Sequence, residues 1–244
     1  MRTFPRRVSA AVLFRSLFVQ GSWNYETLIG TGFAFTILPV LRFVHPTEEA
    51  LRAAIERHTG LFNSHPYFAT IAAGAVARLE AEGADPRMVE RFKSALRGSL
   101  GSLGDQLIWS AWRPAIVLLG ILLLLAGTVW WVAVLVFLTV YNLLNVALRV
   151  WGWSVGTRGG MEVGKVLREA PLQPLATRVA DFGALLGGFA TVLAFARLPA
   201  RPDIFAFALL AALIGLFIGA RTRQVFAVVL ALVWSIALAW AWSR

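Results

Sequence analysis

Long apolar runs alternate with short polar segments along this 244-residue chain. The longest run, residues 114–148, has 35 positions without a charge. As one straight helix it would extend about 52 Å at 1.5 Å per residue, far beyond a ~30 Å hydrocarbon core. We therefore predict two helices or one sharply broken helix, with the break at Gly127 and Thr128. Three more apolar segments are predicted, at about residues 176–196, 204–220 and 224–243, after a polar linker at 158–178.

The apolar segments nearer the N-terminus are shorter. Residues 27–41 would extend only about 22 Å as a helix and contain Gly30 and Pro39, which favours a re-entrant or broken element. Residues 5–20 place arginines between apolar positions and predict a short basic amphipathic helix. That helix either lies in the headgroup region of the membrane or packs on the chain's own core.

Two polar helices are predicted from their capping residues. Thr47 precedes two glutamates, and Asp85 precedes Pro86, so helices are expected to begin at residues 48 and 86. A third apolar segment is expected between them, from Ser64 to about Leu79.

A glycine-rich stretch follows the second polar helix. Gly98, Gly101 and Gly104 are spaced by three, and each glycine inside a helix costs about 1 kcal/mol relative to alanine. This spacing predicts a bent, partly non-helical segment, with Asp105 as the cap of a new helix and Pro114 in a first turn. The bend either lines a polar cavity or lets two helices approach closely.

Composition agrees with an all-α integral membrane protein. Hydrophobic residues make up 58% of the chain, against roughly 45–50% in soluble domains. The net charge of +10 comes mainly from arginines that flank apolar runs, and no nucleic-acid-binding module is recognised. The N-terminus, helix 86–97, linker 158–168 and Arg221–Arg223 are predicted to share the cytoplasmic side. Arg15 interrupts what would be the apolar core of a cleaved signal.

No catalytic constellation is found in the sequence. The three histidines, His45, His58 and His65, are interpreted as surface or capping residues. The absence of cysteine excludes disulfides and a phosphocysteine, and no Walker A loop is present. We expect no cofactor, no metal and no catalytic or phosphorylated residue.

Binding is better supported, because polar residues within apolar elements tend to line pathways. Carboxylates and amides can hold the hydroxyl groups of a neutral sugar, and an aromatic ring can cover its apolar side. The alternative is helix capping and hydrogen bonding at a subunit interface. The substrate-pathway candidates are Trp23, Asn24, Glu26, Asn63, Asp105, Trp109 and Asn145, and the structural or interface candidates are Gly98, Gly101, Gly104, Arg113 and Pro114.

Four motifs carry a family resemblance. Motif 1 (residues 15–33) contains Gln-Gly-Ser-Trp-Asn-Tyr-Glu, and motif 2 (57–66) contains Arg-His followed by Phe-Asn-Ser and proline. Motif 3 (98–114) is similar to G-D-x-x-x-W-x-x-x-R-P, and motif 4 (145–156) contributes Asn145, Arg149 and Gly156. In order and at close to the family's spacing, they resemble the IID membrane component (enzyme IID) of the mannose/fructose/sorbose family of phosphotransferase-system sugar permeases.

The resemblance implies a membrane subunit of a phosphoenolpyruvate-dependent sugar permease in the bacterial inner membrane. It implies a C-type membrane subunit (IIC) that shares the sugar site, cytoplasmic A and B phosphocarrier subunits, surrounding lipids, a hexose-type sugar and a higher oligomer of C–D pairs. Phosphoryl transfer in the family belongs to the A and B subunits. One integrated membrane domain is expected, with residues 1–113 carrying the amphipathic helix and motifs 1–3, and residues 114–244 forming a transmembrane half.

Two features depart from the family pattern. The turn at Arg197–Arg201 replaces a longer extracytoplasmic insertion, and Ser99, Ser102 and Gln106 alter the glycine-rich motif. They motivate an alternative, a non-transporting membrane scaffold or regulator derived from the permease.

Overall fold

Helices joined by short turns form the part of the chain that the computed structural model describes, residues 4–197. Three helical segments of that part, Pro86–Leu125, Trp130–Glu169 and Leu172–Ala194, are long and apolar enough to cross a membrane. The elements are α1 (Arg6–Ser16), α2 (Gly30–Val44), α3 (Glu48–Thr59), α4 (Ala69–Ala81), α5 (Pro86–Gly104), a π-helix (Asp105–Trp112), α6 (Arg113–Leu125), α7 (Trp130–Gly159), a 3₁₀ turn (Gly160–Glu162), α8 (Val163–Glu169) and α9 (Leu172–Ala196).

Helix α4 lies at the centre of the core, and every residue from Ala69 to Ala77 is buried. It packs backbone to backbone on α7. A Cβ atom added at Gly74 would lie 2.6 Å from the carbonyl oxygen of Trp153, and one added at Gly156 would lie 2.8 Å from the backbone nitrogen of Ala75. Only glycine fits such a contact, so these glycines set the distance between the two helices.

The glycine-rich stretch is helical, so the predicted partly non-helical segment is wrong. The backbone N–H of Asp105 bonds to the carbonyl of Gly101, and the helix continues without a new cap, so the predicted Asp105 cap is also wrong. Leu100 and Leu107 are buried in the core, and this tertiary packing outweighs the low helix propensity of glycine. Pro114 does lie in a first turn as predicted, at the change from π-helix to α6.

The predicted break at Gly127 is confirmed. Helix α6 ends at Leu125, Gly127 has φ +91°, and α7 begins at Trp130. A positive φ is what glycine allows after a helix C-terminus.

Helix α2 is continuous through Pro39, and the prediction of a broken element is wrong. Proline removes the hydrogen bond that the carbonyl four residues earlier would receive. Here that carbonyl, of Phe35, accepts a hydrogen bond of 3.2 Å from Arg15 Nη1. The arginine of α1 satisfies the freed group, so the helix needs no break.

Helix α1 decides between the two alternatives given for residues 5–20. Val8 and Val12 of α1 are buried, so this helix packs on the chain's own core, while Phe14 stays exposed.

Thr47 accepts a hydrogen bond from the N–H of Ala50, and Asp85 accepts two from the first turn of α5. Both caps are confirmed.

The segment predicted as a polar linker, 158–178, is largely helical, because the end of α7, the 3₁₀ turn, α8 and the start of α9 fill it. The predicted helices at 204–220 and 224–243, Arg221–Arg223 and residues 198–201 of the shortened turn lie outside the described residues. The predicted boundary at 113/114 falls within the continuous helical segment Pro86–Leu125, and the division into halves stays a prediction.

Candidate binding site where the motifs meet

Arg149 of motif 4 is the buried centre of a polar group on α7, with 5% of its surface exposed. Its Nε donates to Asn145 Oδ1 at 2.7 Å, and its Nη1 donates to the carbonyl of Ser16 at 2.5 Å. The guanidinium also lies over the ring of Tyr67, 5.2 Å from the centroid. No carboxylate within residues 4–197 forms an ion pair with it. The carbonyl at the negative end of α1 partly compensates the charge.

A pair of tyrosines joins the residue after motif 2 to α7. The hydroxyl of Tyr67 donates to that of Tyr141 at 3.0 Å. Burial and this bond raise the pKa of Tyr67, so the phenol stays neutral. We call His65, Tyr67, Trp109, Tyr141, Asn145 and Arg149 the junction cluster.

His65 supplies an unused donor to the junction cluster. Burial and the nearby Arg149 lower the pKa of His65 to about 4, so its ring is neutral near pH 7. Its Nδ1 accepts from the backbone N–H of Tyr67 at 3.3 Å, which leaves the proton on Nε2. Among the described residues Nε2 has no partner, although it is buried. A buried donor without a partner costs about 1–3 kcal/mol and calls for an explanation.

The end of α5 and the π-helix cover His65 from one side. The ring of Trp109 lies 5.2 Å from that of His65, and a Cβ atom at Gly104 would collide with the His65 side chain. Trp109 is 41% exposed, and Arg113 lies over its indole at 5.3 Å. Segments of π-helix occur frequently at functional sites.

The turn of motif 1 is a separate group. Asn24 uses its side chain within that turn: Oδ1 accepts two backbone N–H groups at 2.9 and 2.8 Å, and Nδ2 donates at 3.2 and 2.8 Å. Leu28 holds a positive φ of 55° there. Trp23 and Tyr25 form an edge-to-face pair at 4.8 Å and are exposed, as is Glu26. Asn24 therefore shapes the turn, while its neighbours stay accessible.

The predicted site residues fall into these two groups and one surface. Trp109 and Asn145 lie in the junction cluster. Asn63 lies beside the motif 1 turn, because the backbone of Phe62 bonds to that of residues 27 and 29. Asp105 is exposed on the π-helix. The structure thus brings motifs 2, 3 and 4 together at the junction cluster, and motif 1 contributes the carbonyl of Ser16.

A second cluster was missed in the sequence, and His58 and His65 are not surface residues, since both are buried. Glu80 accepts from Arg57 Nη2 and His58 Nε2 at 2.8 Å each and from His45 Nε2 at 2.9 Å. Burial alone would raise the pKa of Glu80, but the bonds from His58 and Arg57 hold it at about 2. A lone glutamate in the apolar run of α4 was the available signal.

The Glu80 cluster (His45, Arg57, His58, Glu80 and Lys93) ties four helices together. Lys93 of α5 donates to the carbonyl of Arg57 at 3.0 Å. A carboxylate only accepts hydrogen bonds, so His58 donates through Nε2. Burial lowers the pKa of His58 and keeps its ring neutral. This arrangement is structural, with every carboxylate oxygen engaged.

The junction cluster is suited to binding rather than catalysis. Around the Arg149 guanidinium it places hydroxyl groups and the free His65 donor beside an indole ring, and such groups can bind a polyhydroxy ligand. Within residues 4–197 no three histidine, aspartate or glutamate side chains are grouped to hold a metal.

Arg149→Lys is expected to lower the free energy of unfolding by about 2 kcal/mol. The ammonium group of lysine cannot reproduce the two hydrogen bonds that the planar guanidinium donates to Asn145 and to the Ser16 carbonyl. Thermal unfolding in detergent measures the change. Arg168→Lys, at an exposed position on α8, is the matched control. Equal melting temperatures for the two variants would contradict the role given to Arg149.

Comparison with known proteins gives a consistent result. Residues 5–193 match the family model described as PTS system mannose/fructose/sorbose family IID component. The chain is 32% identical over 183 residues to the mannose-specific EIID component of Escherichia coli K12, covering 72% of this chain and 64% of that protein. It is 28% identical to the sorbose-specific EIID component of Klebsiella pneumoniae, with 73% and 66% covered. The aligned region thus spans less than two thirds of the length of these two relatives.

Solved structures agree on the fold. One is a chain of the complex of the mannose transporter ManYZ with microcin E492, with a TM-score of 0.61, 30% identity, and coverage of 77% of this chain and 70% of that chain. Another, described as the structure of a membrane protein, has a TM-score of 0.69 and 25% identity over 97% of both chains.

Proposed function

Because this chain belongs to the IID component family of the mannose/fructose/sorbose phosphotransferase systems, we propose that it forms a sugar translocation unit with a C-type membrane subunit. The pair delivers a hexose-type sugar to a cytoplasmic B subunit, which receives its phosphoryl group from an A subunit. The proposed location is the bacterial inner membrane, crossed several times, with C–D pairs assembled into a higher oligomer.

The observation that supports this proposal most is the junction cluster. Residues of motifs 2, 3 and 4, far apart in sequence, meet around Arg149 and include an unused donor on His65 beside the indole of Trp109. Such groups bind the hydroxyls of a neutral sugar. In the proposed system the A and B subunits carry out phosphoryl transfer, so this chain needs no catalytic group.

The individual residues have different proposed roles. Trp23, Glu26, Asn63, Asp105 and Trp109 contact the sugar or the C-type subunit, since all five are exposed. Asn24 and Asn145 hold the motif 1 turn and Arg149 in place. His65 is buried, and its free Nε2 donor lies beside the indole of Trp109, which is in the first group.

Asp105→Asn and Glu26→Gln test the pathway. Each removes a charge while keeping the size, so sugar uptake is expected to fall at least about tenfold, equivalent to about 1.4 kcal/mol, while the C-type subunit is still retained. The measurement is sugar-dependent phosphorylation in vesicles that contain the phosphocarrier subunits and the C-type subunit. Glu169→Gln, at an exposed position of α8, is the control. Undiminished uptake by both variants would remove motifs 1 and 3 from the sugar pathway.

The same vesicles test the scaffold alternative, which the altered glycine motif favours. A scaffold predicts no sugar phosphorylation by the unmutated chain with all partners supplied, whereas the permease subunit supports it.

A further inference from the structure

The spacing of motif 3 is suited to a π-helix. Gly104, Trp109 and Pro114 follow one another at intervals of five residues. In an α-helix, residues five apart lie about 140° apart around the axis. In a π-helix, whose hydrogen bonds join residues i and i+5, they lie on nearly the same face. The backbone N–H of Arg113 bonds to the carbonyl of Ile108, five residues earlier, as this pattern requires.

Pro114 favours the π form of the segment before it. The helical segment Pro86–Leu125 is continuous through this proline, so Ser110 lies one α-helical turn before it. Proline has no N–H to donate, and in an α-helix its ring would collide with the carbonyl of Ser110. The wider turn of a π-helix relieves this crowding. Motif 3 therefore favours the geometry that Asp105–Trp112 adopts.

This geometry places Trp109 over His65. The side chain of His65 occupies the space that a Cβ atom at Gly104 would need, and the indole of Trp109 lies 5.2 Å from the imidazole. With α-helical geometry Trp109 would lie about 140° around the axis from Gly104 and could not cover the imidazole. Arg113 lies over the indole at 5.3 Å. The glycine, tryptophan, arginine and proline of motif 3 thus act together on one buried side chain.

The other rings around His65 are fixed in the core. Tyr67 and Phe68 also contact the imidazole, with centroids at 5.0 and 6.2 Å. Their exposed fractions are 9% and 0%, against 41% for Trp109. Tyr67 is further held by its hydrogen bond to Tyr141. Of the three aromatic contacts described, only that with Trp109 opens without disturbing the core, so the route to Nε2 of His65 passes this indole.

His65 needs an acceptor that the described residues do not supply. It is 2% exposed, its Nδ1 is engaged by the N–H of Tyr67, and its Nε2 proton has no partner within residues 4–197. The indole N–H of Trp112, in the same π-helix, is also buried without a partner there. Such a donor costs about 1–3 kcal/mol until an acceptor reaches it. A sugar hydroxyl supplies an acceptor, and the indole of Trp109 suits the apolar side of the same sugar ring.

We propose that motif 3 is a movable cover over a sugar subsite: Trp109 moves off His65, and a hydroxyl oxygen of the sugar accepts the hydrogen bond from His65 Nε2. The proposal rests on the proposed function and adds the donor that the sugar meets and the part of the chain that gives access to it. A water molecule offers the same acceptor chemistry, so the measurements must separate these two sources.

Histidine labelling tests the cover. Diethyl pyrocarbonate acylates a neutral imidazole nitrogen that it can reach, and mass spectrometry of peptides locates the labelled histidine. His65 is expected to label at least tenfold faster in Trp109→Ala than in the unmutated chain. Trp131→Ala removes an exposed indole of α7 and is the matched control, with no expected change. His58, buried in the Glu80 cluster, is expected to stay unlabelled and reports that the fold is intact.

Pro114→Ala gives a second variant, so the test does not depend on the folding of Trp109→Ala. Without the proline the α-helical pattern becomes possible, and the indole turns away from His65. Labelling of His65 is expected to be at least threefold faster than in the unmutated chain.

Protection by sugar separates a sugar hydroxyl from water. The probe is whichever of D-mannose, D-fructose and L-sorbose the vesicles described above phosphorylate best. In Pro114→Ala assembled with the C-type subunit, this sugar is expected to slow the labelling of His65 at least threefold. The labelling of His45, whose side chain is 20% exposed, is expected to stay the same and shows that the sugar does not consume the reagent.

Uptake kinetics test the donor itself. His65→Phe keeps a ring but removes the N–H, and it is expected to raise the KM for the sugar at least tenfold with an unchanged maximal rate, since a binding contact is lost. His65→Gln keeps an N–H donor and is expected to restore most of the loss in KM.

Two results overturn the proposal and leave the proposed function intact. One is unchanged labelling of His65 in both cover variants while His58 stays protected, which shows that Trp109 is not the cover. The other is an unchanged KM in His65→Phe together with no protection by sugar, which assigns the free donor to water. If the unmutated chain with all its partners phosphorylates none of the three sugars, the proposed function fails and the sugar assignment fails with it.

Discussion

Gly156→Ala is expected to destabilise the protein by about 3 kcal/mol, the upper part of the range for overpacked cores. The added Cβ atom would collide with the carbonyl oxygen of Ile71 and lie 2.8 Å from the backbone nitrogen of Ala75. Both neighbours are backbone atoms of α4, which is buried along its length and has little room to move. The two helices must separate, and the core between them loses contacts.

The control substitution, Gly188→Ala, is expected to raise the stability of the protein. Gly188→Ala adds a Cβ atom in open space on α9, so only the helix propensity changes, and a gain of up to about 1 kcal/mol is expected. Thermal unfolding in detergent and the yield of monodisperse protein measure both variants. A Gly156→Ala protein that melts at or above the unmutated temperature would show that α4 and α7 are not in backbone contact.

Glu80→Gln is expected to destabilise the protein by about 3–5 kcal/mol, the effect of removing one partner of a buried ion pair. Glutamine keeps the size of the side chain, but it cannot neutralise Arg57 or accept from three donors at once. Helices α3 and α4 and the end of α2 would lose their common anchor. Glu82→Gln is the control, because Glu82 is exposed and pairs with Arg78 one turn away. Such a surface pair contributes about 0.3–0.5 kcal/mol.

The pH dependence of unfolding checks the same cluster. The pKa of Glu80 is about 2 in the folded protein, below its ordinary value of 4.5. Its contribution to stability is therefore fully present above pH 4.5 and is lost as pH falls from there through about 2. Glu80→Gln removes this part of the acid sensitivity. Equal acid dependence in the variant and in the unmutated protein would contradict the ionised Glu80.

Local chemistry in the sequence determined several features of the fold. Thr47 and Asp85 cap their helices, and Gly127 ends one, because each effect involves only neighbouring backbone atoms. The length of the uncharged run required a break, since a single helix would exceed the bilayer. The four motifs identified the family because residue type and spacing are properties of the sequence itself.

Contacts between distant residues decided the features that the sequence did not reveal. The helix continues through Gly98–Gly104 because the leucines beside the glycines are buried, and α2 continues through Pro39 because Arg15 satisfies the freed carbonyl. Propensity alone predicts a break at both places.

The candidate site depended even more on tertiary structure. Arg149 and Ser16 are 133 positions apart, and their bond is defined only once α1 packs on α7. Burial also decided the protonation state of His65. The sequence predicted a surface or capping histidine, whereas desolvation lowers the pKa of the buried ring and leaves it neutral, with a free donor on Nε2. Desolvation and hydrogen-bond geometry arise from the assembled helices, so no local pattern encodes them.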